Sequence, residues 1–411
     1  MSNPETNAPL VLPFRGMRYA ESELSALVCP PYDIISPAER EELYRRDPHN
    51  TIRLEFPLPR GGEDCYQAAA REWQAWREQG VLRQDAEALY LCRAEFEYRG
   101  RACSRLGLFA GLHLESLQNG RVLPHEGTLA AAKADRLALM QASAANFSPI
   151  WTIYHNPPLG ELLAKSVAGE PLARAETDDG ACYSLWSISD RERIAQVCGL
   201  LGNGPIFIAD GHHRYETALT YSQQRPAGRP TAPINYVLSL LVEADDPGLV
   251  ILPTHRALAG LTKEQLGEVW AHLRDCCELE QFSALEALLE WVYTGEHSFG
   301  FYTRPDGFWL FTVKEPLARC SDTMSSAPVA VLHRRILDPA LGREVKFGYY
   351  KEAQQAKEAV DAGEFDAAFF VRPLRSQELI QAAQSRERLP GKSTYFWPKI
   401  PAGLVMRSLG E

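Results

Sequence analysis

Residues 206 to 219, Ile-Phe-Ile-Ala-Asp-Gly-His-His-Arg-Tyr-Glu-Thr-Ala-Leu, constrain this chain more than any other stretch. Three β-formers run into Asp210 and Gly211, and a helical Ala/Leu pattern begins near Tyr215, so the segment reads as a strand, a tight turn and a helix. Asp210, His212, His213 and Arg214 are thereby delivered to one turn. The first turn of a helix offers unpaired backbone N–H groups and the positive end of the helix dipole, which suits a phosphate or carboxylate. Gly211 allows the backbone to approach such a ligand closely. On a regular element the neighbouring side chains of His212 and His213 diverge, so one orienting a ligand while the other packs inward is more economical than a zinc site using both.

A chain of 411 residues exceeds a usual single domain, so an α+β composite of two or three subdomains is expected, with mixed sheets and flanking helices. The pattern suggests an N-terminal α+β region at 1–155, a central region at 156–260 and a C-terminal α+β region at 261–411. The first ten or so residues have little to bury and are expected to lack structure. Net charge is −10, with no long basic run, which argues against nucleic acid or an anionic membrane as partner. The longest uncharged apolar run, Ile234 to Val242, is far short of a membrane span, and no signal pattern opens the chain. Nine scattered cysteines without a C-x-x-C pair fit reduced core thiols, so a cytoplasmic protein acting on a small molecule is expected. Oligomeric state is not legible.

Further motifs surround the turn. In Val28-Cys-Pro-Pro-Tyr-Asp-Ile-Ile-Ser36 two prolines fix an extended approach that holds Tyr32 and Asp33 on a stiff loop ahead of Ser36, a helix N-cap. Tyr32 and Asp33 either face a ligand or brace a turn. In Leu123-Pro-His-Glu-Gly-Thr128 and the helix after it, His125 and Glu126 precede a helix carrying Lys133 and Arg136 on one face. A carboxylate at that position is a candidate general base beside a phosphate clamp; the alternative is surface ion pairing of Glu126 and Asp135 with Lys133 and Arg136. Thr254, His255 and Arg256 read as the end of a strand beside the one that ends at Asp210, the two together walling one pocket. Near the C-terminus, Gly391-Lys392-Ser393-Thr394 lacks the earlier glycine and the following helix of a Walker A loop; Lys392, Ser393 and Thr394 remain candidate ligand contacts. G-x-G-x-x-G, G-x-S-x-G and H-E-x-x-H are all missing from the sequence.

The ordered set Pro30-Pro-Tyr-Asp33, His125-Glu-Gly-Thr128 with Lys133 and Arg136, Asp210-Gly-His-His-Arg214, Leu252-Pro-Thr-His-Arg256 and Lys392-Ser-Thr-Tyr-Phe396 resembles, over nearly the whole chain, a prokaryotic family catalogued only as domain of unknown function 1015. The Asp210–Arg214 turn alone is similar to the signature of the ParB/sulfiredoxin-like superfamily, which includes free-serine kinases. That resemblance implies a phosphate cradle at Asp210, Gly211, His212, His213 and Arg214, with Asp210 acting through Mg²⁺ and Glu126 as base. A nucleotide, ATP or ADP, and a serine-like hydroxyl metabolite would be its substrates. His255 and Arg256 join Lys133 and Arg136 as candidate phosphate ligands. A phosphohydrolase of a small phosphomonoester, with His125, another His or Glu126 activating water, would use the same pocket. A non-enzymatic nucleotide-responsive ParB-like module is the third reading, and the acidic balance counts against its binding DNA.

Overall fold

A computed structural model of the chain describes residues 8–118, 120–128, 130–202, 204–225, 229–314, 327–341 and 345–410. The expectation about the first residues falls largely outside these. The fold is α+β. Two compact units form, both discontinuous in sequence: Met1–Leu123, Thr128–Val250 and Pro398–Glu411 make the first, Pro124–Gly127 and Ile251–Trp397 the second. Among the described residues, no helix is long and apolar enough to cross a membrane.

In the first unit the strands Leu82–Tyr98 and Arg101–His113 pair antiparallel as a long hairpin. Its turn residues Arg99 and Gly100 have φ of 52° and 73°, the positive values that a two-residue turn matching strand twist requires. Tyr236–Glu243 adds to Arg101–His113 antiparallel and is buried along its length, which explains its unbroken apolar run. Ile150–Tyr154 lies parallel to it, and Ile206–Asp210 follows antiparallel. Ile206 and Ile208, two residues apart and so on one face, enter the same core cluster as Tyr215, Ala218 and Tyr221 of the helix His212–Gln223. Burial of such side chains is worth about 1.5–3 kcal/mol each, so the helix is fixed onto the strand that leads into it.

The second unit is built on a six-stranded sheet in the order Cys277–Phe282, Gly307–Val313, Ser298–Thr303, Ala367–Phe370, His255–Ala259, Lys346–Tyr350, antiparallel throughout. Strand alternation divides its core between two faces. Ala367 and Phe369 pack with Val269 and Leu273 of the helix Lys263–Cys276, whereas Ala368 and Phe370 pack with Leu288 and Val292 of Leu285–Thr294 and with Val360 of Ala353–Asp361.

One local expectation is corrected here. Thr254, His255 and Arg256 do not end a strand beside Ile206–Asp210; the strand Val250–Leu252 stops first, and His255 and Arg256 open a new strand in the second unit's sheet. Pro253 supplies the reason, because it has no N–H to donate to a ladder and interrupts the apolar run at that point.

Candidate functional site

The turn after Ile206–Asp210 is shaped by its backbone. Pairing with Ile150–Tyr154 is irregular between Ile208 and Asp210, so Asp210 faces Trp151 across a bulge that re-aims the strand end. Gly211 follows with φ 88° and ψ 30°, the left-handed region, and its carbonyl accepts the first helical hydrogen bond, from Tyr215 N at 3.0 Å. The N-cap position is Gly211 itself, which has no side chain to cap the helix. A Cβ on Gly211 would also come within 3.0 Å of Arg214 Nε, so conformation and space both call for glycine.

Asp210 is clamped between two cations. Arg214 Nη2 donates to its Oδ2 at 2.8 Å, Lys399 Nζ donates to its Oδ1, and Arg214 also donates to the carbonyl of Pro149. The side chains of Asp210, Arg214 and Lys399 are 19%, 11% and 9% exposed. Burial works to raise the Asp210 carboxyl, but the charges of Lys399 and then Arg214 hold it far below the usual carboxylate range. Burial likewise works against the Arg214 guanidinium, and Asp210, Asp33, Glu55 and Tyr32 together raise its affinity for the proton.

The Pro-Pro-Tyr-Asp segment and the Lys133/Arg136 helix belong to the same neighbourhood. Pro31 is extended, Tyr32–Ile34 forms a single 3₁₀ turn, and Ser36 caps the helix Pro37–Arg46 in a reciprocal box with Glu39. Tyr32 lies over Arg136, whose guanidinium carbon is 4.0 Å from the ring centroid. Burial pushes the Tyr32 phenol up to about 12, opposed by Arg214 and Arg136. Arg136 bonds Asp135 at 2.6 Å and the Glu55 carbonyl at 2.6 Å. Lys133 pairs with Glu216 at 2.8 Å rather than with Glu126, and Thr128 Oγ1 donates to the same Glu216 oxygen at 2.7 Å, tying the helix Ala130–Ser143 to His212–Gln223. His212 is buried and His213 half-buried.

Glu55 was absent from the sequence candidates. Only 2% exposed, its carboxylate accepts from Ser148 Oγ at 2.8 Å. Burial raises its pKa, and Arg136 and Arg214 oppose the rise. It lines a cavity of about 40 Å³ together with Arg136, Ser148 and Arg214, space for about one or two waters. Lys399 was also missed. Both are single charged residues in unremarkable sequence; burial near Arg136 and Arg214 distinguishes Glu55, and the ion pair with Asp210 distinguishes Lys399.

The remaining candidates gather in the second unit. His125 is fully buried with Nε2 3.1 Å from Thr394 Oγ1. Glu126 Oε1 accepts the Lys392 amide at 2.8 Å, and the Glu126 carbonyl accepts from Arg388 at 3.1 Å. Fully buried Arg256 donates to the Thr254 carbonyl and, at 3.1 Å, to that of Lys392. Burial lowers the Arg256 guanidinium to about 10. His255 Nδ1 accepts from Val371 N at 3.2 Å, and burial followed by the charge of Arg256 brings the ring down to about 3. Ser393 Oγ donates to the Pro390 carbonyl. The candidates thus fall into two groups: Tyr32, Asp33, Lys133, Arg136 and Asp210–Arg214 in the first unit, His125, Glu126, His255, Arg256 and Lys392–Thr394 in the second.

The donors do not fit a magnesium ion on Asp210 as arranged. Each carboxylate oxygen accepts from a cation, and a divalent ion would have to displace Lys399 or Arg214. Among the described residues, the group with ligand atoms close enough to share an ion is His155, Glu243 and Asp245, where His155 Nδ1 lies 3.2 and 3.3 Å from the two carboxylates.

A family model described as a protein of unknown function, DUF1015, matches residues 11–335. The chain belongs to the DUF1015 family. Lys392–Thr394 and Lys399 lie beyond the DUF1015 match. Solved structures similar to this DUF1015 protein include a conserved hypothetical protein from Pyrococcus furiosus, 16% identical, covering 72% of this chain and 93% of its own with a TM-score of 0.38. A free serine kinase in complex with AMP is 14% identical, with coverages of 72% and 92% and a TM-score of 0.38. SbnI from Staphylococcus aureus, with a C-terminal truncation, is 10% identical over 71% of this chain and 84% of its own, also at 0.38. No curated protein matches.

Proposed function

We propose that this protein is a small-molecule phosphotransferase that moves a phosphoryl group between a nucleotide, ATP or ADP, and a serine-like hydroxyl metabolite. The Asp210–Arg214 turn is its phosphate cradle. The observation carrying this reading is the buried Lys399–Asp210–Arg214 triad at a helix start without a side-chain cap, two cations for one carboxylate beside a left-handed glycine. Asp210 fixes Arg214 and Lys399 in place, so they meet developing phosphoryl charge without reorganising. In the transfer the hydroxyl oxygen forms the new bond to phosphorus as the bond to the nucleotide's leaving oxygen breaks, and a carboxylate takes the hydroxyl proton.

Two carboxylates are candidates for that proton. Glu126 already accepts from the Lys392 amide on Oε1, which ties that oxygen to the loop. Glu55 has a raised proton affinity and lines a water-sized cavity beside Arg214, so it could accept the proton through one water. The same cavity favours, as second reading, hydrolysis of a small phosphomonoester with that water as nucleophile.

The test is to incubate purified protein with ATP or ADP, Mg²⁺ and a panel of hydroxy acids and hydroxy amino acids, then to look for phosphorylated product by mass spectrometry. Absence of product with every pair refutes phosphotransfer, and phosphate release from a phosphomonoester without nucleotide supports hydrolysis. Arg214→Ala is expected to abolish nucleotide binding in calorimetry while circular dichroism is retained. Unchanged affinity would remove the turn from the site.

A further inference from the structure

The motifs gathered in the second unit hold a loop in an unfavourable conformation. Lys392 has φ 57°, left-handed for a residue with a side chain. Such a conformation persists only where the surroundings over-determine it, and clusters where a loop serves a ligand. Here the constraints are visible. Glu126 accepts from the Lys392 amide and Arg256 donates to the Lys392 carbonyl, so residues from two distant motifs hold the peptide groups on either side of Lys392. Thr394 is tied to His125, and Leu389 N donates to the His125 carbonyl at 2.7 Å.

A second observation concerns charge. Arg256 is fully buried, and its Nε has no hydrogen-bond partner among the described residues. Thr254 Oγ1 and His333 Nε2 are likewise buried without partners. His333 is close enough that, after burial, the charge of Arg256 is what depresses its proton affinity. A buried cation whose hydrogen bonds go to carbonyl groups is costly; Tyr349 and Glu126 support it only at longer range, and an anion at the loop would supply a counter-charge in contact with it. Lys392 itself is exposed, so its ammonium is free to close over such an anion.

We propose that Lys392–Thr394 is an oxyanion-binding loop for a phosphate or carboxylate group, with Glu126 and Arg256 as the residues that position it. This does not depend on the reading of the Asp210 turn. A loop with only a structural role would be better served by glycine at position 392, because glycine adopts positive φ without strain.

The test uses the full-length Arg214→Ala protein, so that phosphate bound at the Asp210 turn does not contribute. Hydrogen exchange over residues 389–397 is followed with inorganic phosphate in one arm and malonate in the other, at low salt. Slowed exchange with phosphate assigns a phosphate site, slowed exchange with malonate a carboxylate site, and no change with either overturns the proposal. Lys392→Gly, introduced at an exposed position, is expected to weaken the anion at least tenfold while leaving the melting temperature equal or higher; unchanged affinity overturns the proposal. Glu126→Ala is expected to lose binding and Glu126→Gln, which keeps an acceptor for the Lys392 amide, to restore it. Equal loss in both variants refutes the positioning role.

Discussion

Replacing Lys399 by methionine removes one charge from the buried triad while keeping most of the side-chain volume. Two opposite charges about 4 Å apart at an effective dielectric of about 20 attract by roughly 4 kcal/mol, and desolvation cancels much of this, leaving about 1.5–3 kcal/mol for a hydrogen bond to a charged group. Asp210 keeps Arg214 at 2.8 Å in the variant, so the loss stays below the 3–5 kcal/mol of a fully orphaned buried charge. The expected cost is about 2 kcal/mol, with the Asp210 carboxyl moving back toward its ordinary pKa. The sign follows from linkage. Asp210 is depressed in the folded protein, so its contribution is complete above the unfolded carboxyl pKa of about 3.9 and is lost as pH falls through the folded value. The Lys399→Met deficit should therefore be full at neutral pH and shrink as pH falls below about 3.9, where wild type loses a contribution that the variant already lacks. Urea unfolding at pH 7 of wild type, Lys399→Met, Asp210→Asn and the double variant measures the pair directly. A Lys399→Met cost that is the same with Asp210 as with Asn at that position refutes the reasoning, because the lysine would then be acting through packing alone.

Other outcomes follow from single positions. Gly211→Ala places a Cβ 3.0 Å from Arg214 Nε at φ 88°; it should cost about 1–2 kcal/mol and weaken nucleotide binding together, and a normal melting temperature with normal affinity would contradict it. His255, held near 3 by burial and Arg256, should remain neutral down to pH 4.5 in NMR titration, with Nε2 protonated because Nδ1 accepts from Val371; a midpoint near 6.5 would refute its burial. Because an unfolded His255 gains its proton near pH 6.5 and the folded one does not, stability should fall as pH drops below 6.5, by at most about 1.4 kcal/mol per unit from this group. Lys392→Gly should raise stability by about 1 kcal/mol in chemical unfolding, since it relieves a left-handed side chain, and a loss of stability would show that the lysine packs rather than binds.

Much of the local structure was legible in sequence because its causes are local. Asp210-Gly211 between an apolar triplet and a helical pattern forces a strand-turn-helix, and Ser36 after two prolines caps a helix. Pro253 was equally visible, yet the apolar run on its amino-terminal side outweighed it, and the strand boundary was misplaced. Glu55 and Lys399 could not be found this way. Neither belongs to a motif; Glu55 takes its character from burial beside Arg136 and Arg214, and Lys399 from its ion pair with Asp210, which no spacing rule encodes.

By itself the sequence determined which residues open helices, turn hairpins and crowd polar groups at a helix start, since these depend on neighbours a few positions away. Only the tertiary structure decided that Pro398–Glu411 belongs with the first unit, bringing Lys399 to Asp210 across 189 positions, and that His125 and Glu126 belong with the Lys392 loop in the second. Such pairings depend on how sheets and cores close, and so does the burial that gives the same carboxylate a depressed pKa at Asp210 and a raised one at Glu55.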